Sequence, residues 1–271
     1  MMELAIPILA FVLGLLIGSF LNVCIYRWPR DLSVVRPRSR CPHCEQAIAW
    51  YDNIPLVSYA ILSGRCRHCQ AAISRRYPLV ELLTGLAFLY FALRSPSPVE
   101  AVRMCSLAAL LIGLMFSDLE TRILPDELTI GGALAGLAFA VVNPMPPLMA
   151  PLISWTSGVD FSPRVDSVLE SAIGAALPAA GLWFAGWAYL KLRHREGLGF
   201  GDVKLMALAG AFLGVGGALM ALFCGSLAGS ILGYGYIRIT GKDASSYELP
   251  FGTFLAAAVL AIAMSGVYSG N

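Results

Sequence analysis

Long apolar runs separated by short polar segments make up most of the chain. Eight such runs follow one another, each with few charged residues inside it. A run of roughly 20 apolar residues crosses the hydrocarbon core of a membrane as one α-helix, and shorter runs need interfacial residues to do so. The runs are Leu4–Ile25, Leu79–Leu93, Val99–Ser117, Leu128–Val142, Val168–Leu192, Val203–Val215, Gly217–Ile239 and Pro250–Val267. This pattern predicts an all-α polytopic membrane protein with about eight transmembrane helices.

The composition supports this class of protein. Mean hydropathy is +0.72, and hydrophobic residues make up 58% of the chain while charged residues make up 13%. A soluble domain typically has about 25% charged residues, so the chain is too apolar to be one. It also carries no nucleic-acid-binding signature. We therefore expect membrane lipid as a partner and no nucleic acid.

The distribution of basic residues predicts the orientation. If the loops alternate between the two faces, one face receives 16 of the 19 Lys and Arg residues. The positive-inside rule assigns that face to the cytoplasm and puts both termini outside. A cleaved signal peptide is the alternative for the first run, but residues 1–7 contain Glu3 and no basic residue, so we expect an uncleaved span. The segments on the basic face are Tyr26–Pro78, Ser117–Glu127, Lys191–Lys204 and Arg238–Glu248.

The first polar segment is long enough to form a small cytoplasmic domain. It contains two Cys-x-x-Cys pairs separated by 21 residues, a spacing typical of a tetrahedral structural zinc site. A disulfide-bonded loop is the alternative. The reducing cytoplasm and the small core of such a loop favour zinc. The predicted ligands are Cys41, Cys44, Cys66 and Cys69. We divide the chain into a first helix (1–25), a zinc-binding domain (26–78) and a membrane-embedded domain (79–271).

Two aspartates lie at the cytoplasmic ends of different predicted helices. Asp118 follows the apolar run that ends the third helix, and Asp202 begins the sixth helix after Gly199 and Gly201. Carboxylates at the edge of the hydrocarbon are costly and therefore indicate function. Two that meet share one proton, so that one removes a proton from water while the other polarises a carbonyl group. The pattern predicts peptide hydrolysis by Asp118 and Asp202.

Other interpretations of these acids remain open. Asp202 and Asp126 are also candidates for helix N-caps, and Lys204 is expected to reach the membrane interface on another helical face. A proton-coupled transporter would place its carboxylates deeper within its helices. In a noncatalytic assembly scaffold, the zinc loop would bind a partner and the aspartates would be caps.

Together the motifs resemble one family. The stretches GSFLNVCIYRWP, YPLVELLTG, SDLETRILPDELT, GLGFGDVKLMALAGAFLG and PFGTFLAAA, with the two cysteine pairs, are similar to those of the type IV prepilin peptidases. These are membrane aspartic proteases of the G-x-G-D kind that also serve type II secretion. The matching stretches are spread along nearly the whole chain. The connection Asn143–Asp166 departs from the family pattern because it is long and rich in proline, and we expect it to be irregular and on the outer face.

The resemblance implies a function and a location. Asp118 and Asp202 would be the catalytic pair, and the four cysteines would bind zinc. The enzyme would cleave short basic leaders from prepilins and pseudopilins at the cytoplasmic face of the bacterial inner membrane, with both of its termini periplasmic. Many members also methylate the new N-terminus with S-adenosylmethionine. No cofactor fingerprint is visible for that donor, so the methyl-transfer activity is implied by the resemblance alone.

Overall fold

The computed structural model describes residues 2–195, 197–241 and 249–266. Within these residues the chain forms nine α-helices, two short 3-10 helices and no strand beyond two isolated β-bridges. The α-helices are α1 Met2–Arg27, α2 Val57–Ile61, α3 Arg76–Arg94, α4 Pro98–Thr121, α5 Asp126–Val142, α6 Ala150–Ser157, α7 Pro163–Arg193, α8 Phe200–Thr240 and α9 Phe251–Ser265. The prediction of an all-α protein is confirmed.

Five of the described helices are long and apolar enough to cross a membrane, namely α1, α3, α4, α7 and α8. Helix α9 is apolar but has only 15 residues. The count of eight spans stays a prediction. Most of the predicted loop Arg238–Glu248 lies outside the described residues, and so does Val267 at the end of the last predicted span.

The expectation of an irregular segment at Asn143–Asp166 was wrong in part. Helix α6 lies inside this segment, and α7 begins before its end, at Pro163. Both helices have a proline at one of their first two positions. Proline is tolerated there because the N–H groups of the first helical turn have no intrahelical acceptor, so the missing N–H costs no hydrogen bond. The prolines therefore begin helices here instead of preventing them.

Residues 1–116 form one compact unit, built around the contact between α1 and α3. The two backbones approach closely because glycines face each other: a Cβ on Gly14 would lie 2.8 Å from the Cα of Gly85. The Asn22 side-chain amide donates to the Tyr77 carbonyl oxygen at 3.1 Å. Glu81, buried on α3, accepts a hydrogen bond from the Leu56 amide at 2.8 Å. These contacts fix both ends of the loop that carries the cysteines.

Residues 117–271 form a second unit, in which α8 reverses direction at Gly214. Along a straight helix, Gly233 would lie about 46 Å from Asp202. In the structure, however, Asp202 and Gly233 both lie near the start of α9. A Cβ on Gly233 would lie 2.6 Å from Leu249, and a Cβ on Gly252, three residues further along, would lie 3.1 Å from Asp202 Oδ1. Helix α8 is therefore two antiparallel arms, residues 200–213 and 215–240, which matches the two predicted runs in this region.

Side chains from α7 satisfy the backbone groups that the reversal releases. Gly214 has φ 69° and ψ −175°, a conformation that only glycine adopts readily, and it interrupts the helical hydrogen bond from Val215 to Ala211. The Val215 amide donates instead to Glu170 Oε1 at 3.2 Å, and the Ala211 carbonyl oxygen accepts from the Ser171 hydroxyl at 2.8 Å. The donor and the acceptor of the interrupted helical hydrogen bond are thus each paired with a side chain of α7, and these two side chains belong to adjacent residues.

The same face of α7 holds two further contacts. Glu170 Oε2 accepts hydrogen bonds from the amides of Leu148 and Met149, at 2.8 and 2.6 Å, in the connection between α5 and α6. One helical turn beyond Glu170, a Cβ on Gly174 would lie 2.6 Å from the Gly210 carbonyl oxygen. The first arm of α8 therefore packs directly against the α7 backbone.

We expect Gly174→Ala to lower the free energy of unfolding by about 1–3 kcal/mol, because the added methyl group forces the two backbones apart. The matched control is Gly181→Ala on the same helix, where an added Cβ meets no atom within 4 Å among the described residues. Thermal unfolding of both variants in detergent measures the difference. Equal losses in the two variants would contradict the close approach of α7 and α8.

Candidate active site and metal centre

The two cysteine pairs form two turns of the same local geometry. In the first turn, the Cys41 amide donates to the Gln46 carbonyl oxygen at 3.0 Å; in the second, the Cys66 amide donates to the Ala71 carbonyl oxygen at 2.9 Å. The residue after each second cysteine has a positive φ, 58° at Glu45 and 60° at Gln70. An isolated antiparallel β-bridge closes each turn. Each turn therefore directs its two sulfur atoms to one side.

The four sulfur atoms converge on one position. All lie within 4.8 Å of one another, with Cys41 Sγ 3.8 Å from Cys69 Sγ and Cys44 Sγ 4.0 Å from Cys66 Sγ. A tetrahedron with zinc–sulfur bonds of about 2.3 Å has edges of about 3.8 Å. These separations exceed a disulfide bond of about 2.05 Å. The cluster can hold a metal ion, and its donors and spacing suit zinc.

Backbone amides around the second turn favour a thiolate. Hydrogen bonds from the backbone of Cys69 and His68 lower the pKa of the Cys66 thiol to about 6. A backbone hydrogen bond from Gln46 lowers the pKa of the Cys44 thiol, but burial and the neighbouring thiols outweigh it and raise that pKa to about 12. Metal ligation requires the deprotonated sulfur. The second turn therefore prepares Cys66 to bind a cation.

An ion pair braces the loop beside the second turn. Arg67 Nε and Nη2 donate to Asp52 Oδ2 and Oδ1 at 2.8 and 2.6 Å, and the guanidinium holds the pKa of Asp52 below its usual range. The same guanidinium lies 5.6 Å from the centre of the Tyr51 ring. A bidentate pair of this kind fixes the orientation of both side chains. It joins the short helix of residues 50–53 to the second cysteine turn.

Asp118 lies in the last turn of α4, at the start of the second unit. Arg122 adopts φ 59° and ends the helix, and its amide donates to the Asp118 carbonyl oxygen at 3.0 Å. The Ser117 hydroxyl donates to the Ile123 carbonyl oxygen at 2.8 Å, which holds the chain as it leaves the helix. Asp118 is only 5% exposed. The turn thus fixes the backbone at Asp118, whose side chain is buried.

Asp202 lies in the first turn of α8. The N-cap of this helix is Gly199, so Asp202 is the third helical residue and the N-cap interpretation of it was wrong. Its amide donates to the Gly199 carbonyl oxygen at 3.1 Å, and its side chain is as buried as that of Asp118. A Cβ on Gly201 would lie 3.1 Å from Leu124, so this glycine lets the connection between α4 and α5 approach α8.

The structure brings the two carboxylates together beside Gly252. A Cβ on that glycine would lie 3.1 Å from Asp202 Oδ1 and 3.2 Å from Asp118 Cγ. The two carboxyl groups therefore lie within about 6 Å of each other, with Gly252 flanking the space between them. Carboxyl groups this close do not both ionise freely, so the pair can share a proton.

The start of α9 is a component that sequence analysis did not assign to the site. Asp118 Oδ2 accepts two hydrogen bonds from Thr253, one from the backbone amide at 2.7 Å and one from the hydroxyl at 2.8 Å. The sequence signal is PFGT, a proline, a glycine and a hydroxyl residue directly before an apolar run. Only the fold shows that this segment faces Asp118.

The acidic residues at the end of α4 and the start of α5 do not join the pair. Asp126 is the first residue of α5, whose N-cap is Pro125, so the N-cap interpretation of Asp126 was also wrong. The Lys204 ammonium group donates to Asp126 Oδ1 and forms an ion pair with it. Lys204 therefore has an acidic partner that sequence analysis did not assign to it, and its position at the membrane interface stays a prediction. Glu120 and Glu127 are exposed.

Comparison with known proteins assigns the chain to a family. Residues 12–95 match the bacterial peptidase A24 N-terminal domain, and residues 105–234 match the type IV leader peptidase family. Residues 252 and 253 lie beyond both matched regions. No solved structure matches significantly.

Individual relatives agree with these domain matches. The chain is 43% identical over 235 residues to a prepilin leader peptidase/N-methyltransferase of Myxococcus xanthus, covering 86% of this chain and 63% of that protein. It is 36% identical to a protein of the same name in Aeromonas salmonicida, covering 92% and 87%. It is 38% identical to a type 4 prepilin-like proteins leader peptide-processing enzyme of Escherichia coli, covering 93% and 91%. The chain thus spans less than two thirds of the Myxococcus relative and most of the other two.

Within the described residues the chain has the fold of a helical membrane protein: five helices are long and apolar enough to cross a membrane, four cysteines cluster, and two aspartates are buried near each other. The chain belongs to the type IV leader peptidase family. The resemblance found in the sequence is confirmed.

Proposed function

We propose that this protein is a membrane aspartic endopeptidase that removes the leader peptide from type IV prepilins and type II secretion pseudopilins. The observation that carries the proposal is the convergence of Asp118 and Asp202 beside Gly252, from two helices far apart in sequence. Family membership and the names of the relatives support the substrate class. The new N-terminus is then methylated, as those names also indicate.

The proposed reaction uses the pair in complementary protonation states. The ionised aspartate takes a proton from a water molecule as the water oxygen adds to the carbonyl carbon of the scissile bond. The protonated aspartate gives its proton to the carbonyl oxygen, which produces a neutral diol. The diol then collapses: one of its hydroxyl groups gives a proton to the aspartate that is now ionised, the C–N bond breaks, and the departing amine takes the proton of the other aspartate, so the pair again holds one proton. Burial strengthens these interactions because water competes with them less.

We propose that the helices cross the bacterial inner membrane eight times. The reversal at Gly214 supports this count, because it divides the 41 residues of α8 into two arms. The excess of basic residues in alternate loops supports a cytoplasmic active site, a cytoplasmic cysteine loop and periplasmic termini. A prepilin with a basic leader and an apolar helix would then present its cleavage site at the level of the aspartates.

We propose structural zinc as the ion held by the four cysteines. A zinc ion bound by four thiolates has no open coordination position, so it would stabilise the loop without entering the reaction. The Asp52–Arg67 pair and the Glu81–Leu56 hydrogen bond hold the remainder of the loop. S-adenosylmethionine is proposed as methyl donor from the names of the relatives.

The alternatives fit the geometry less well. A proton-coupled transporter relays protons through acids along its helices, whereas Asp118 and Asp202 lie in a last and a first helical turn. In a noncatalytic scaffold, the aspartates would be helix N-caps. The N-cap positions of α8 and α5 are instead occupied by Gly199 and Pro125.

We expect Asp118→Ala and Asp202→Ala each to abolish cleavage of a synthetic prepilin, because either change leaves the pair without one of its two proton-transfer groups. The protein should still accumulate in the membrane. Mass spectrometry of the substrate measures cleavage, and size-exclusion chromatography in detergent checks folding. More than a few per cent of residual activity in a folded variant would refute the assignment of that aspartate.

We expect one zinc ion per chain, and loss of that ion in Cys41→Ser and Cys66→Ser, because removal of one thiolate opens the tetrahedral site. Cys224→Ser is the matched control, since Cys224 is exposed on α8 outside the cluster. Elemental analysis of the purified proteins gives the metal content. Zinc-free wild-type protein would contradict the proposal.

We expect Glu120→Gln together with Glu127→Gln to raise the KM for a basic leader by about twofold to fivefold, since each exposed charge pair contributes little. Asp126 is left unchanged because it pairs with Lys204. The rise should shrink at high salt and for a leader whose lysines are replaced. An equal rise for basic and neutral leaders would show that these acids do not recognise substrate charge.

A further inference from the structure

Two neighbouring residues at the start of α9 face the aspartate pair in different ways. Thr253 donates two hydrogen bonds to Asp118 Oδ2, and Gly252 borders both carboxyl groups. The inference below rests on the proposed function and deepens it.

The hydrogen bonds make the two aspartates unequal. Both Thr253 donors bond to one oxygen of Asp118. The amide lies in the first turn of α9, and its bond to Asp118 at 2.7 Å is shorter than its second bond, to the Pro250 carbonyl oxygen at 3.2 Å. An anion is stabilised by such a donor set at the positive end of a helix dipole. Within the described part of the chain, no donor is hydrogen-bonded to the Asp202 carboxylate. The shared proton therefore belongs on Asp202.

Gly252 keeps the space between the carboxyl groups open. An added Cβ would lie 2.9 Å from Leu124, 3.1 Å from Asp202 Oδ1 and 3.2 Å from Asp118 Cγ. Such distances are too short for ordinary carbon contacts of about 3.5–4.0 Å. Any side chain here would fill the position that a substrate carbonyl group or a water molecule must reach.

We propose that the start of α9 completes the active site: Thr253 positions Asp118 as the ionised partner that accepts the proton of water, and Gly252 provides the clearance for the scissile bond. Asp202 is then the partner that protonates the carbonyl oxygen. Thr253 is a positioning residue, because it acts on the reaction only through Asp118.

The first test compares Thr253→Val with Thr253→Ser in the full-length protein in detergent. Valine keeps the shape and removes the hydroxyl donor, whereas serine keeps the donor. We expect valine to lower kcat by about 10-fold to 100-fold, as for loss of a hydrogen bond to a charged group, with KM changed by less than about twofold. Serine should recover most of kcat. Thr240→Val is the control, because the Thr240 hydroxyl donates to a carbonyl oxygen within its own helix.

The second test adds a methyl group at Gly252. We expect Gly252→Ala to lower kcat/KM by at least about 100-fold through loss of the clearance, while the protein elutes as the wild type does. Gly131→Ala is the matched control, since an added Cβ there meets no atom within 4 Å among the described residues.

The outcomes separate this inference from the proposed function. Loss of activity in Asp118→Ala and Asp202→Ala, with Thr253→Val within about twofold of wild-type kcat, would overturn the inference alone. Equal losses in the valine and serine variants would also overturn it, because the hydroxyl would then not be the cause. Activity retained in either aspartate variant would instead refute the proposed function.

Discussion

The pairing of backbone groups at Gly214 determines where the proposed functional groups of residues 117–271 lie. Within an apolar bundle, a released amide or carbonyl group costs several kcal/mol unless a partner replaces water. Glu170 and Ser171 supply those partners to Val215 and Ala211. Because the chain can reverse at this point, Asp202 and Gly233 lie at the same end of the two arms. The start of α9, which contacts the second arm, is thereby brought to Asp202.

The same constraint explains why α7 carries buried polar residues at helical spacing. Ser167 donates to the Ala140 carbonyl oxygen, Ser171 donates to that of Ala211, and Gly174 allows backbone contact one turn further on. Small side chains permit close packing of helices where lipid offers no hydrophobic driving force. Helix α7 is therefore the element against which both α5 and the first arm of α8 are held.

The cysteine loop follows a different physical rule. Each Cys-x-x-Cys turn is stabilised by its own backbone hydrogen bonds, so the direction of the sulfur atoms is decided within about six residues. A small loop has too little apolar surface to fold alone, and a metal ion held by the four cysteines would supply the missing stability. This locality is why ligand spacing is readable from a sequence.

The sequence by itself determined the class of protein, the helical runs, the four cysteines and the two aspartates as candidates, because hydropathy and ligand spacing are local properties. It did not determine the roles of residues whose contacts are distant in sequence. Asp126 and Lys204 looked like a cap and an interfacial residue, yet they pair across 78 positions. Thr253 and Gly252 look like the start of an apolar helix. Only the tertiary structure decided that they face Asp118, 135 positions away, because the reversal of α8 sets which helix ends meet.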